Sequence, residues 1–108
     1  VIVDTNQPGA EMTQPPQDDR ARLRLYIAKA TPNSARAERN LTAALAAFGS
    51  ESAPFDVEII DVFTHGKRAV TDGVIVTPTL IAVGHGKRLM MMGDLTDVTK
   101  LRHLLEGL

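Results

Sequence analysis

The stretch from Val74 to Leu95, "VIVTPTLIAVGHGKRLMMMGDL", constrains the fold more than any other. Two strand-like runs, Thr79 to Val83 and Arg88 to Met92, are separated only by a glycine-bearing turn at Gly84-His85-Gly86. So short a link forces an antiparallel hairpin, and glycine supplies the positive φ that tight hairpin turns need. Upstream, "RLRLYIA" (Arg22 to Ala28) alternates Leu23, Leu25 and Ile27 with Arg22, Arg24 and Tyr26, a period of two that reads as a strand. "FDVEIIDVF" (Phe55 to Phe63) is a β-branched run and a second strand. The long segment between them makes a crossover, so these two strands are parallel.

The helices follow from stripes and caps. In "ATPNSARAERNLTAALAAFG", Thr31 suits the cap, Pro32 the first helical position and Gly49 the end. Ala37, Leu41, Ala44, Leu45 and Phe48 recur at three- and four-residue steps and form one apolar stripe. "THGKRAVTDGV" allows at most two turns between Gly66 and Gly73. A last helix begins at Thr96 or Asp97 and turns Leu101, Leu104 and Leu105 inward. The order is β-α-β-(short α)-β-β-α, an α/β fold on a mixed four-stranded sheet.

Composition narrows the function classes. The 108 residues suit one domain, with 44% hydrophobic and 23% charged residues and a net charge of −1. That balance gives no electrostatic case for nucleic acid or an acidic membrane surface. No apolar run approaches the ~20 residues that span a bilayer. Residues 1–21 read as a polar tail with three prolines between Asp4 and Asp19, the composition of a flexible segment, and residues 22–108 as the folded domain. The tail lacks the basic region and long apolar run of a secretory signal, so a cytoplasmic setting is expected. The absence of cysteine removes disulfides, thiolate nucleophiles and cysteine metal sites together. His65, His85 and His103 fall on separate elements, so neither a metal nor another cofactor is expected.

The order of elements resembles a thioredoxin, whose chemistry sits at the N-terminus of the first of these helices. Here that position reads Thr31-Pro32-Asn33-Ser34, with hydroxyls where a redox pair would stand. A hydroxyl cannot exchange disulfides. Thr77-Pro78-Thr79 matches the step that carries the cis-proline in that fold.

More specifically, the chain resembles the circadian clock protein KaiB family, through "LRLYIAKATPNSARA" (Leu23 to Ala37), "IIDVF", "VTPTL" and "RLMMMGDLT". The resemblance covers residues 22 to 108. It implies a non-enzymatic interaction module that binds the KaiC ATPase, with a sensor histidine kinase as a further partner. It also implies self-association and a capacity to switch between a tetramer with a different C-terminal half and a thioredoxin-like monomer that binds KaiC. Thr31, Pro32, Asn33, Ser34, Thr77, Pro78, Gly93 and Asp94 are the expected fold-determining positions. Arg22, Arg24, Tyr26, Arg36, Asp56 and Glu58 are the expected partner-binding ones. Asp56 and Glu58 stand where the family has a small residue and a lysine in its KaiA-docking edge, which argues against KaiA. Leu104 replaces a helix-weakening glycine, worth ~1 kcal/mol in a helix interior, and favours the thioredoxin-like form.

Two other readings compete. A glutathione-binding enzyme of thioredoxin fold could use Ser34 or Thr31 to stabilise a bound thiolate. A thioredoxin-like adaptor could serve a stress or signalling partner outside any clock. For Thr31 to Ser34 the simplest role is a helix cap, and for Met90-Met91-Met92 it is core packing.

Overall fold

The computed structural model describes residues 20–47 and 55–108. Most of the expected polar tail, together with Phe48 and Gly49, lies outside the described residues. The elements are β1 (Ala21–Ile27), α1 (Pro32–Ala46), β2 (Phe55–Asp61), α2 (Gly66–Thr71), β3 (Thr79–Gly84), β4 (Lys87–Met92) and α3 (Val98–Glu106). They form one sheet in the order β2-β1-β3-β4, with β1 parallel to β2 and antiparallel to β3, and β3 antiparallel to β4. β1 and β3 are therefore interior strands, and β2 and β4 are edges.

Strand alternation divides the side chains between two faces. Leu23, Leu25 and Ile27 of β1, Leu80 and Ala82 of β3 and Met91 of β4 meet Ala37 and Leu41 of α1 and Leu101 and Leu105 of α3. Fully burying one such aliphatic side chain contributes roughly 1.5–3 kcal/mol, so this face supplies most of the apolar driving force. Leu104 is half-buried and packs at the margin of the same cluster. The opposite face holds a smaller cluster, Tyr26, Ile60 and Ile81 beneath Ala69 of α2.

The hairpin forms as expected, but with a different residue in the left-handed region. His85 (φ 50°) and Gly86 (φ 79°) carry the positive angles of a two-residue turn. Gly84 instead allows close approach: a Cβ there would stand 3.0 Å from Cβ of Ala21 on β1. Thr31 occupies the N-cap position of α1 without capping through its side chain, and Pro32 opens the helix. Asp97 is the side-chain cap of α3, accepting from the Lys100 N–H at 3.0 Å. Met91 is the buried member of the methionine triplet, while Met90 and Met92 are exposed.

Candidate functional site

Two polar assemblies lie outside the main core, one at the N-terminal end of α1 and one beneath α2. At the first, Ser34 is buried and its Oγ accepts the Ala28 N–H at 3.0 Å. Thr31 Oγ1 donates to the Ala28 carbonyl at 2.8 Å. Both hydroxyls brace the turn that joins β1 to α1. Thr77–Pro78 is a cis peptide, Pro78 is buried, and its carbonyl accepts from the Gly93 N–H at 2.8 Å. Gly93 has φ 107°, a conformation that only glycine adopts without strain, and it turns the chain from β4 towards Asp94.

Asp94 then acts as a junction. Its carboxylate accepts Arg36 Nε at 3.1 Å and the Thr96 N–H at 3.2 Å, while its carbonyl accepts Asn40 Nδ2 at 2.8 Å. Hydrogen bonds from Thr96, and then the Arg36 contact, hold the Asp94 carboxyl below the usual aspartate range. Arg36 Nη2 also donates to Asn33 Oδ1. The α1 N-terminus, the cis-proline step and the β4–α3 turn are thus tied together at one end of the sheet. Arg36, expected to face a partner, is exposed but already engaged on Asp94 and Asn33.

The second assembly departs further from expectation. Tyr26, expected on a partner-facing surface, is 0% exposed. α2 folds over it, and its hydroxyl donates to Asp72 Oδ2 at 2.5 Å with the Arg68 carbonyl at 3.3 Å. Burial first, and then the Asp72 hydrogen bond, pushes the phenol pKa up. Arg24 also turns inward, its Nη1 standing 3.0 and 3.3 Å from the two Asp72 oxygens. Arg88 reaches from β4 to donate to the Asp72 carbonyl. Asp72, at the C-terminal end of α2, therefore collects groups from β1 and β4. The sequence reading missed it because its partners lie 46 and 48 residues away.

Arg22, Asp56 and Glu58 remain at the surface. They sit in register on the α2 side, Arg22 beside Asp56 and Arg24 beside Glu58. Arg20 bridges to Asp56 at 3.0 Å, and Arg68 forks onto Glu58 at 2.6 and 2.9 Å. That fork holds the Glu58 carboxyl below its ordinary range and raises the Arg68 guanidinium. On the other side of β2, Val57 and Ile59 are each 44% exposed. Further apolar side chains stand in solvent at Phe63, Val70, Ile75 and Val76, on and around α2 and the segment leading into β3. Among the described residues no group of three or more His, Asp or Glu could hold a metal ion, and no helix is long and apolar enough to cross a membrane.

This geometry can be set beside known proteins. A sequence model described as the KaiB domain matches residues 24–106. The chain belongs to the KaiB family. It is 36% identical over 75 residues to the circadian clock oscillator protein KaiB of Acaryochloris marina, covering 69% of this chain and 70% of that one. With the KaiB of Gloeothece citriformis the identity is 34% over 79 residues, 73% of each chain. Among solved structures, the N-terminal domain of Synechococcus elongatus SasA matches with TM-score 0.68 and 26% identity over 90% of both chains. The thioredoxin Deadhead of Drosophila melanogaster matches with TM-score 0.68 and 21% identity, covering 84% of this chain and 83% of that one, which shows the fold. This KaiB-family chain is therefore thioredoxin-like throughout its described residues, including the C-terminal hairpin and α3.

Proposed function

We propose that this KaiB-family chain is a non-enzymatic interaction module that binds a KaiC-like ATPase in a clock or a related signalling system. Family membership across residues 24–106 carries the reading. The local chemistry supports it. Where a thioredoxin keeps its thiols, this chain has two hydroxyls, and both are spent on the backbone of Ala28. Nothing at that end is presented as a nucleophile, and a thiolate waiting to be stabilised would find Ser34 buried. The likeness to the SasA N-terminal domain supports a partner surface on a thioredoxin-like frame, and a sensor histidine kinase is the second partner class. The setting is cytoplasmic. Asp56 and Glu58, standing where the family resemblance implies a small residue and a lysine, argue against KaiA as a partner of this edge.

Arg22, Asp56 and Glu58 are the residues assigned to partner contact, since they are exposed and lie side by side where β1 meets β2. The test is a titration of the protein into a purified KaiC-type hexameric ATPase with ATP present, read by co-elution and by fluorescence anisotropy. Saturable binding is expected, weakened about tenfold, or 1.4 kcal/mol, by Glu58→Lys. No binding at tens of micromolar, together with glutathione binding or disulfide reduction by the pure protein, would replace this reading with an enzymatic one.

A further inference from the structure

A groove of about 520 Å³ runs between α1 and α3, with Ala43, Ala44 and Ala47 on one wall and Val98, Leu101 and Arg102 on the other. That is the size of a cleft that buries a small ligand or a short stretch of chain. Alanine favours the helix but has nothing beyond Cβ to fill the space between the two walls. Leu101 is the buried floor, whereas Val98 is 59% exposed. Arg102 is exposed and is held by no hydrogen bond or ion pair among the described residues. The fold also sets the start of β1 at the mouth of this groove. β1 and β4 are each antiparallel to β3, and β2 is parallel to β1, so α1 and α3 both return towards the start of β1. At that end Lys87 donates to the Gly107 carbonyl at 2.8 Å. A Cβ on Gly84 would stand 3.0 Å from Cβ of Ala21 and 3.8 Å from Cβ of Leu108. Arg20 therefore lies beside the C-terminal end of α3, where Ala47 and Glu106 line the mouth.

We infer that the groove is the docking site of the chain's own segment Met12 to Gln17, "MTQPPQ". Rounding the end of α3 takes about one helix diameter, ~10–12 Å, and following the helix up to Val98 takes roughly 12 Å more. At about 3.1–3.3 Å per extended residue, seven or eight residues before Arg20 cover that path. Met12 then reaches Val98 and Ala43, where its unbranched side chain supplies adaptable apolar contact. Pro15 and Pro16 lie lower, against Ala44, Ala47 and Leu101, and prolines already set in an extended form lose little entropy on docking. Helical side chains lean towards the helix N-terminus, so Arg102 is aimed at the Val98 end, where Glu11 follows Met12. Glu106 at the mouth repels Asp18 and Asp19 and keeps them outside, which fixes the register.

Charge and tethering select this occupant over a separate partner. Residues 1–19 hold Asp4, Glu11, Asp18 and Asp19 and no Lys or Arg, so with the whole chain at −1 the remainder, 20–108, stands at +3. A covalently linked segment meets its groove at an effective concentration of order millimolar, so contacts too weak to recruit a free peptide still fill it. The groove lies on the α1–α3 side of the sheet, opposite Arg22, Asp56 and Glu58. Docking there is independent of ATPase binding.

The test is paramagnetic broadening of amide resonances in the full chain. Because the chain has no cysteine, Gln14→Cys takes a single nitroxide. The amides of Ala43, Val98 and Arg102 should broaden, while that of Val70 on α2, across the sheet, should not. Met12→Glu removes the apolar anchor and should lower the ratio of docked to free segment about tenfold. Arg102→Glu should lower it less, and neither change touches the core, so circular dichroism should stay that of the parent. When isotope-labelled protein without nitroxide is mixed with nitroxide-labelled protein without isotope, the broadening should vanish. Broadening of Val70 equal to that of Val98, broadening unchanged by Met12→Glu, or broadening kept in the mixed sample, which means that a second copy fills the groove, would overturn the inference.

Discussion

The two faces of the sheet are held by different physics. Under α1 and α3, Leu23, Leu25, Leu80, Leu101 and Leu105 are each at most 2% exposed and pack in one apolar cluster. Under α2 the apolar cluster is small, and the short helix is fastened by a polar lock in which Asp72 receives Tyr26 and Arg24. Apolar burial is non-directional and scales with the area removed from water, so the first face does not depend on any single contact angle. The lock is directional. Removing one partner leaves the others half-buried without a replacement, so α2 is expected to open before the main core.

The largest effect should come from the apolar face. Leu25→Ala deletes a fully buried side chain at the centre of the main cluster and should cost about 3 kcal/mol, within the range for core leucines. Chemical denaturation checks this, and an unchanged slope with a lower midpoint marks a pure stability loss. Asp72→Ala should rank second, at about 2 kcal/mol. Breaking a buried charge pair costs more, but the Arg24 and Asp72 side chains keep 26% and 13% of their exposure, which lowers the figure. Tyr26→Phe should cost about 1 kcal/mol, one hydrogen bond with the ring packing kept. If Tyr26→Phe matched Leu25→Ala, the distinction between the faces would fail.

The apolar face was legible in the sequence because its signal is local. A period of two in Leu23, Leu25 and Ile27, and helical spacing in Ala37 and Leu41, determine which residues go inward before any partner is known. The hairpin was legible for the same reason, since the turn supplies its own geometry. The lock was not. Alternation put Tyr26 on the second face, but nothing near it in the chain says that Asp72 will arrive above it. Asp72 reads locally as an ordinary turn residue before Gly73. The same holds for Asp94: "GDL" looks like a turn, and its contact with Arg36 spans 58 residues. Long-range polar pairs leave no periodic trace, so the partner-facing assignment of Tyr26 failed while that of the leucines held.

The smallest predicted effect is electrostatic and depends on pH. Glu58 and Asp94 both have carboxyl pKa values below their ordinary range, from Arg68 for the first and from Thr96 and Arg36 for the second. A depressed carboxyl pKa contributes stability at pH values above the unfolded range, near 4, and that stability is lost as pH falls through the folded value. Glu58→Gln should therefore melt slightly below the parent at pH 7, and the two should converge in acid. The gap should be small because Glu58 and Arg68 are both well exposed. A gap that widened on acidification would mean that the Arg68 fork is not what lowers the Glu58 pKa.

Hydrogen exchange of the native protein measures the difference between the faces most directly. The backbone amides of Leu25 in β1 and Ala82 in β3 should exchange only through global unfolding. Those of Ala69, Asp72 and Val74, which close α2 and its exit, should exchange through a cheaper local opening. Asp72→Asn should accelerate that second group further while protection of the β3–β4 ladder follows only the loss in global stability. Equal opening free energies for α2 and β3, unaffected by Asp72→Asn, would contradict the account that a polar lock, and not the shared core, holds the second face.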